Sequence, residues 1–120
     1  MKKKVMVVDD SHMIELKICR LLEGSAFEVT AYCENGEDAI ARYGEVQPDV
    51  VAMDIIMPGI DGLETAQIIL EEHPEARVVM MSSLDQEDSV REARIIGARG
   101  FLYKPFNQVS LLSALEQALY

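Results

Sequence analysis

Short apolar runs alternate with longer segments of helical period about five times along the chain. Three of these runs, at residues 5–8, 50–53 and 78–81, are apolar at every position rather than at every second one. Continuous apolar runs are typical of strands buried on both faces, as in a parallel sheet covered by helices. We therefore predict parallel strands in successive βαβ units. The predicted strands are residues 4–8, 27–32, 50–53, 77–82 and 100–103.

Apolar residues between and after these runs recur at helical spacing. One stripe at i, i+4, i+7 and i+8 predicts an amphipathic helix after the first strand, and a similar stripe predicts a helix at the C-terminal end. The two stripes are Ile14, Ile18, Leu21 and Leu22, and Leu111, Leu115, Ala118 and Leu119. Asp61, three residues before Glu64, fits the start of a capping box, and Asp85 is a candidate N-cap for residues 86–96.

The predicted fold class is α/β. Parallel strands joined by right-handed crossovers allow few topologies, and the flavodoxin-like order is common at this length. We predict a three-layer sandwich with five helices and a five-stranded parallel sheet of order 2-1-3-4-5. A chain of 120 residues fits one domain, residues 1–120, and its 49% hydrophobic and 27% charged content is typical of globular proteins.

The charge balance argues against two classes of partner. Acidic residues number 21 and basic ones 11, which gives a formal net charge of -10. A field of this sign repels nucleic-acid phosphates and anionic lipid, so we expect no direct nucleic-acid or membrane partner. The apolar run after Lys4 ends at Asp9 and is too short for a signal peptide, so we expect a cytoplasmic protein.

Polar side chains follow four of the five predicted strands. Asp9 and Asp10 follow strand 1, Asp54 follows strand 3, Ser82 closes strand 4 and Lys104 follows strand 5. In open parallel sheets, ligands bind beyond the carboxyl ends of the strands, where the strand order reverses between strands 1 and 3. Carboxylates meeting there repel one another by about 4 kcal/mol per close pair at an intermediate effective dielectric. An oxygen cluster of this kind suits Mg²⁺ or Mn²⁺.

Four sequence blocks in this order resemble the response-regulator receiver family, the CheY-like domain of two-component signalling. They are VVDDS at 7–11, MDIIMPGIDG at 53–62, MSS at 81–83 and YKPF at 103–106. The blocks extend over nearly the whole chain, and Ser82 and Lys104 are 22 positions apart, as in the family.

The resemblance implies a role for each strand-end residue. Asp54 would be the phosphoacceptor, receiving a phosphoryl group from a phosphohistidine on a sensor histidine kinase or phosphotransfer protein, or from a small phosphodonor. Asp9 and Asp10 would bind the metal together with Asp54. Lys104 would pair with a phosphoryl oxygen, and the Ser82 hydroxyl would donate to the new phosphoryl group. Such a protein is a switch that assists its own phosphorylation and dephosphorylation, rather than an enzyme.

The resemblance also implies how the switch is read. The family's aromatic residue three positions before the lysine is Phe101 here, which lacks the hydroxyl of the Tyr often found. The readout surface would be helix 4, strand 5 and helix 5, roughly residues 85–120, for a downstream protein or an output domain. Pairing of two phosphorylated copies is a further expectation. Pro105 resembles a family proline that follows the lysine through a cis bond, whereas Pro58-Gly59 fits a simple turn.

Two positions would modulate the site. Ile56, two residues after Asp54, and Leu84, two after Ser82, occupy places where many family members carry polar side chains that influence water attack on the aspartyl phosphate. Both are apolar in this chain. Our hypothesis is that they shield the phosphoryl group and slow self-dephosphorylation.

Several readings compete with this one. Asp9 and Asp10 would serve equally well as caps of the first helix if taken alone. A haloacid-dehalogenase-like phosphohydrolase also uses an Asp nucleophile, but it needs an acid where Ile56 stands. A receiver used only for docking is a third alternative. His12, near the acidic pair, is interpreted as solvent-facing rather than as a metal ligand, because hard cations favour oxygen. The kinase, the output target and the presence of further domains stay open.

Overall fold

The computed structural model of the protein describes residues 1–83 and 87–120. Strands and helices alternate throughout these residues. The strands are β1 Lys3–Val8, β2 Phe27–Cys33, β3 Val50–Asp54, β4 Val78–Ser82 and β5 Gly100–Tyr103. The helices are α1 His12–Leu21, α2 Gly36–Val46, α3 Gly62–Glu72, α4 Glu87–Ile96 and α5 Gln108–Leu119. All strand pairs are parallel and the order is β2-β1-β3-β4-β5, which confirms the predicted flavodoxin-like fold.

The observed strand limits differ from the predicted ones by one residue at several ends. Asp54 is the last residue of β3 rather than the residue after it, because it still pairs with Met81 of β4. Cys33 likewise extends β2 by pairing with Val8. Arg77, predicted as the first residue of the fourth strand, lies just before β4, although its carbonyl accepts a 2.8 Å hydrogen bond from the Val51 amide.

The sheet separates two apolar layers. One layer lies between the sheet and helices α1 and α5, and the other lies between the sheet and helices α2, α3 and α4. The first layer contains Ile18, Leu111 and Leu115 from the helices and Leu22 directly after α1, and the second contains the helical residues Ala39, Tyr43, Ala66, Ile69, Val90 and Ala93. The last four residues of β1 and all of β3 are buried, which explains why these runs are apolar at every position.

The edge strand β2 carries a bulge. Val5 pairs with Val29, but the next residue of β1 pairs with Ala31, so Thr30 is left without a partner in the register. Before the bulge, Phe27 and Val29 face the α1/α5 layer. After it, Ala31 joins the opposite layer, and Tyr32 packs against the α1/α5 layer instead. The extra residue therefore reverses which side chains face which helices.

The helix starts agree only in part with the predicted caps. The Asp61 carboxylate accepts a 2.9 Å hydrogen bond from the Glu64 amide at the start of α3, which confirms the predicted cap. Helix α1 begins at His12 with Ser11 as its N-cap, so the interpretation of Asp9 and Asp10 as its caps is wrong. Asp85 lies outside the described residues. None of the helices in the described ranges has the length and apolarity required to span a bilayer.

Candidate functional site at the carboxyl edge of the sheet

Three aspartates meet where β1 and β3 end. One carboxylate oxygen each from Asp9, Asp10 and Asp54 lies within 4.8 Å of the others. The two strands are hydrogen-bonded neighbours, and Val8 pairs with Met53, so their ends lie side by side. Asp9 is fully buried and Asp54 is 8% exposed, whereas Asp10 faces solvent. The predicted gathering of carboxylates at this edge is confirmed.

Lys104 supplies positive charge to this cluster. Its ammonium Nζ lies 2.8 Å from Asp9 Oδ2 and 3.4 Å from Asp54 Oδ1, so two carboxylates share one cation. The Lys104 amide donates to the Ser82 carbonyl at 2.8 Å, which holds the residue against the end of β4. Pro105 follows through a cis peptide bond, as the resemblance implies.

The charge balance of the site shows in the pKa of Asp54. Burial first, and then the neighbouring Asp9 carboxylate, raise this pKa from its ordinary value of 3.8 to about 6. Lys104 and a hydrogen bond from the Ile56 amide oppose the shift without cancelling it. Lys104 therefore offsets only part of the rise in the Asp54 pKa, and a further cation would favour the ionised form of Asp54.

Asp9 is bonded through its backbone as well as its side chain. Its amide donates to the Cys33 carbonyl at 3.1 Å, and its carbonyl accepts from the Tyr32 hydroxyl at 2.8 Å. Its Oδ1 accepts from the Ser11 amide at 2.9 Å, while Oδ2 accepts from Lys104. Asp9 is consequently held in one orientation before any ligand binds.

Ser82 contrasts with Asp9. It is the last residue of β4, one position beyond the residue that pairs with Asp54, and it is 1% exposed. Its Oγ has no hydrogen-bond partner among the described residues. A buried hydroxyl left without a partner costs about 1–3 kcal/mol. Among the described residues, the site therefore leaves the Ser82 hydroxyl as a buried donor without an acceptor.

Sequence reasoning missed a glycine that positions Asp54. A Cβ atom at Gly62 would overlap with the Asp54 carbonyl, and the Gly62 amide donates to the Ile55 carbonyl at 2.7 Å. The start of α3 therefore packs directly onto the end of β3, which only a residue without a side chain allows. The available signal was a glycine directly after the capping Asp61. The nearby Gly59 has a φ of 79°, as the predicted turn requires.

The family model described as the response regulator receiver domain matches residues 5–116. The chain belongs to the response regulator receiver family. Receiver domains are signalling switches rather than classical enzymes. They bind Mg²⁺ at an acidic site. CheY-like domains act together with kinases and output proteins.

Two chemotaxis relatives match this receiver domain over nearly their full length. The chemotaxis protein CheY of Listeria monocytogenes is 42% identical over 115 residues, which cover 96% of this chain and 97% of the relative. CheY of Bacillus subtilis is 36% identical over 119 residues, covering 99% of each chain. A crystal structure of the CheX–CheY–BeF3–Mg²⁺ complex from Borrelia burgdorferi is similar with a TM-score of 0.91 at 29% identity, covering 98% of this chain and 90% of that one.

The predicted switch residue of the receiver is Phe101, which lies on the side of the sheet covered by α2, α3 and α4. Phe101, in β5, is half-buried and packs against the layer formed by α2, α3 and α4. The Arg94 guanidinium of α4 lies 5.0 Å from the centre of its ring, a cation–π contact that no sequence pattern predicted.

Of the two predicted modulating residues, the structure describes only Ile56. The Ile56 side chain is 62% exposed, and the Ile56 amide donates a hydrogen bond to the Asp54 carboxylate. Leu84 lies outside the described residues. His12 is exposed, with Nδ1 2.8 Å from Glu15 Oε1, so the interpretation of a solvent-facing histidine is confirmed.

Proposed function

We propose that this receiver accepts a phosphoryl group on Asp54 from a sensor histidine kinase, a phosphotransfer protein or a small phosphodonor. The observation that carries the proposal is the gathering of Asp54 with Asp9, Asp10 and Lys104 at one edge of the sheet. The buried Ser82 hydroxyl, which has no partner among the described residues, lies on the adjacent strand.

In the proposed reaction, an Asp54 carboxylate oxygen attacks the phosphorus of the donor. The new O–P bond forms as the P–N bond of the phosphohistidine breaks, and the imidazole leaves and takes up a proton. This transfer needs mainly alignment and neutralisation of the charge on the phosphoryl oxygens, and the proton for the leaving imidazole can come from water. Lys104 would leave part of its contact with the carboxylates to pair with a phosphoryl oxygen.

The residues fit a resident Mg²⁺ or Mn²⁺. Asp9, Asp10 and Asp54 would hold it, because hard cations take carboxylate oxygens and keep several waters. The raised pKa of Asp54, caused first by burial and then by Asp9, supports a need for more positive charge there. When bound, the ion supplies charge that neutralises the phosphoryl oxygens. The similar CheY from Borrelia burgdorferi was crystallised with Mg²⁺ and BeF3.

The switch would work through the hydroxyl on β4. A phosphoryl group carries more negative charge and more acceptor oxygens than a carboxylate, so the Ser82 hydroxyl would be drawn to it together with the loop that follows. Phe101 would turn towards the space left behind. The output face would be α4, β5 and α5, where Ile95, Tyr103 and Val109 are exposed apolar side chains.

The partners would be proteins of the cytoplasm. A downstream protein or an output domain would read the α4, β5 and α5 face, and two phosphorylated copies would pair through it. On the other side of the site, α1 begins two residues after Asp10 and exposes Met13 and Leu16. A phosphodonor protein approaching this edge of the sheet would meet that apolar surface.

The experiment that tests the proposed function is intact-mass measurement after incubation with acetyl phosphate and Mg²⁺. We expect one phosphoryl adduct on the unaltered protein and none on Asp54→Asn. The matched control is Asp38→Asn, which alters an exposed aspartate in the first turn of α2 and should keep the adduct. An unaltered protein that gains no adduct, and that also fails to bind beryllofluoride, would instead indicate a receiver used only for docking.

We further propose that Ile56 and Leu84 slow the loss of the phosphoryl group by limiting water attack. Replacing Ile56 with Asn and Leu84 with Glu should shorten the lifetime of the adduct, measured by intact mass over time. Val109→Asn, which changes a similarly exposed apolar residue on α5, is the control. Equal lifetimes in all three proteins would contradict this part of the proposal.

A further inference from the structure

The bulge in β2 has an effect at the site. Without Thr30 as an extra residue, strict alternation would place Tyr32 on the face opposite to Phe27 and Val29. With the bulge, Tyr32 packs against the same layer as those two residues, on the side of the sheet covered by α1. Bulges next to active sites commonly redirect one side chain in this way.

The redirected Tyr32 side chain contacts the carboxylate cluster of Asp9, Asp10 and Asp54 through the backbone of Asp9. The Tyr32 hydroxyl donates a 2.8 Å hydrogen bond to the Asp9 carbonyl, across 23 positions of sequence. The Tyr32 ring is half-buried, and its centre lies 5.6 Å from that of His12 in the first turn of α1. Tyr32 thus touches the backbone of the acidic pair without belonging to the cluster.

We propose that Tyr32 is a positioning residue for the metal site, and that the Thr30 bulge serves to bring its hydroxyl to the Asp9 carbonyl. That carbonyl belongs to the peptide joining Asp9 to Asp10. The hydrogen bond from Tyr32 therefore fixes the orientation of this peptide plane, and with it the starting direction of the Asp10 side chain. Asp10 is exposed, and this peptide is covalently joined to its Cα. Outer residues that orient metal ligands in this way commonly strengthen binding.

This inference rests on the proposed function, since it assigns a role in holding the cation. Its prediction is specific: loss of the hydroxyl should weaken cation binding while leaving the phosphorylation chemistry intact once the site is filled. A purely structural role for Tyr32 would lower stability without changing the affinity for the cation.

The test is titration of the protein with Mn²⁺, following the electron paramagnetic resonance signal of the free ion. We expect Tyr32→Phe, which keeps the ring and removes the hydroxyl, to weaken Mn²⁺ binding by roughly three- to tenfold. The control is Tyr120→Phe, at the exposed chain end, which should bind like the unaltered protein.

A second measurement separates affinity from chemistry. The Mg²⁺ concentration giving half the maximal rate of adduct formation should rise by the same factor in Tyr32→Phe, while the rate at saturating Mg²⁺ should stay within about twofold of the unaltered protein. Equal Mn²⁺ affinities for Tyr32→Phe and the unaltered protein would overturn the inference alone. Absence of Mn²⁺ binding by the unaltered protein would overturn the proposed function and the inference with it.

Discussion

The two sides of the site differ in how completely their polar atoms are bonded. On the side of β1 and β3, Asp9 has hydrogen bonds at its amide, its carbonyl and both carboxylate oxygens, and Asp54 shares Lys104 with it. On the side of β4, the buried Ser82 hydroxyl has no partner among the described residues. The polar groups on the β1 and β3 side, here called the assembled side, are already hydrogen-bonded, whereas the Ser82 hydroxyl on the β4 side is available to form a hydrogen bond.

This difference suits a switch. Groups that bind charge work best when their orientation is fixed beforehand, because no reorganisation is then needed on binding. A group that reports the change must instead gain an interaction that the resting state lacks, because a ligand shifts an equilibrium only by its differential affinity for the two states. The comparison between the assembled side and the Ser82 side can be tested by substitutions on each.

The largest expected effect is on the assembled side. We expect Gly62→Ala to lower the free energy of unfolding by more than about 3 kcal/mol, because the new methyl group would overlap with the Asp54 carbonyl. Urea denaturation measures this change. The control is Gly44→Ala within α2, where the nearest atom is 3.9 Å from the added carbon. That substitution should raise stability by about 0.5–1 kcal/mol, as alanine does within a helix.

If Gly62→Ala were as stable as the unaltered protein, α3 would be able to move away from the end of β3. The site would then be less rigid on this side than the contact with Asp54 indicates, and the contrast with Ser82 would weaken.

A second, smaller effect concerns the charge on Asp54. Its folded pKa of about 6 lies above its ordinary value of 3.8, so the folded state binds the proton more tightly, and stability is lost as the pH rises through this window. The raised pKa corresponds to a loss of at most about 3 kcal/mol in the free energy of unfolding by neutral pH. In EDTA, we expect Asp54→Asn to become more stable than the unaltered protein between about pH 4 and about pH 7.

Urea denaturation of both proteins across this pH range measures the difference. Excess Mg²⁺ should reduce the difference at neutral pH, because a cation favours the ionised carboxylate. A constant gap between the two proteins at every pH would mean that Asp54 ionises normally, and that Lys104 alone balances the cluster.

The smallest effect is expected at Ser82. Because the Ser82 hydroxyl has no partner among the described residues, Ser82→Ala should leave stability unchanged or raise it by up to about 1 kcal/mol. Ser110→Ala is the matched control, because the Ser110 hydroxyl accepts from the Asn107 amide and donates to the Asn107 carbonyl in a capping box. That substitution should lower stability by about 1 kcal/mol.

Ser82→Ala and Ser110→Ala should also differ in their binding of beryllofluoride, a mimic of the phosphoryl group. Ser82→Ala should bind beryllofluoride roughly tenfold more weakly than the unaltered protein, since it lacks the donor for the new acceptor oxygens. Ser110→Ala should bind it normally. A marked loss of stability in resting Ser82→Ala would indicate that the hydroxyl already has a partner.

The sequence predicted the fold and the strand-end residues for one physical reason. Parallel strands end at a common edge, so identifying the apolar runs was enough to bring Asp9, Asp54 and Lys104 together. Residues whose importance depends on close tertiary approach were not predictable in this way. Gly62 stood out only as a glycine after the capping Asp61, and that signal does not reveal that a strand end lies against it.

The bulge in β2 escaped prediction for a different reason. Residues 27, 29, 31 and 33 are apolar, a regular alternation that would place them on one face of a strand. The structure divides them between two faces, because an extra residue in an edge strand changes the register without changing the apolar pattern. The role of Tyr32 therefore became visible only in three dimensions.

The double burial of β1 and β3 has a consequence for the motions of the protein. Amide protons in strands covered on both faces exchange with solvent only when much of the molecule opens. Residues 5–8 and 50–54 should thus be among the slowest to take up deuterium. The carboxylates of Asp9 and Asp54 then lie at the ends of the strands that open last, so they should keep their relative positions while other parts of the molecule open.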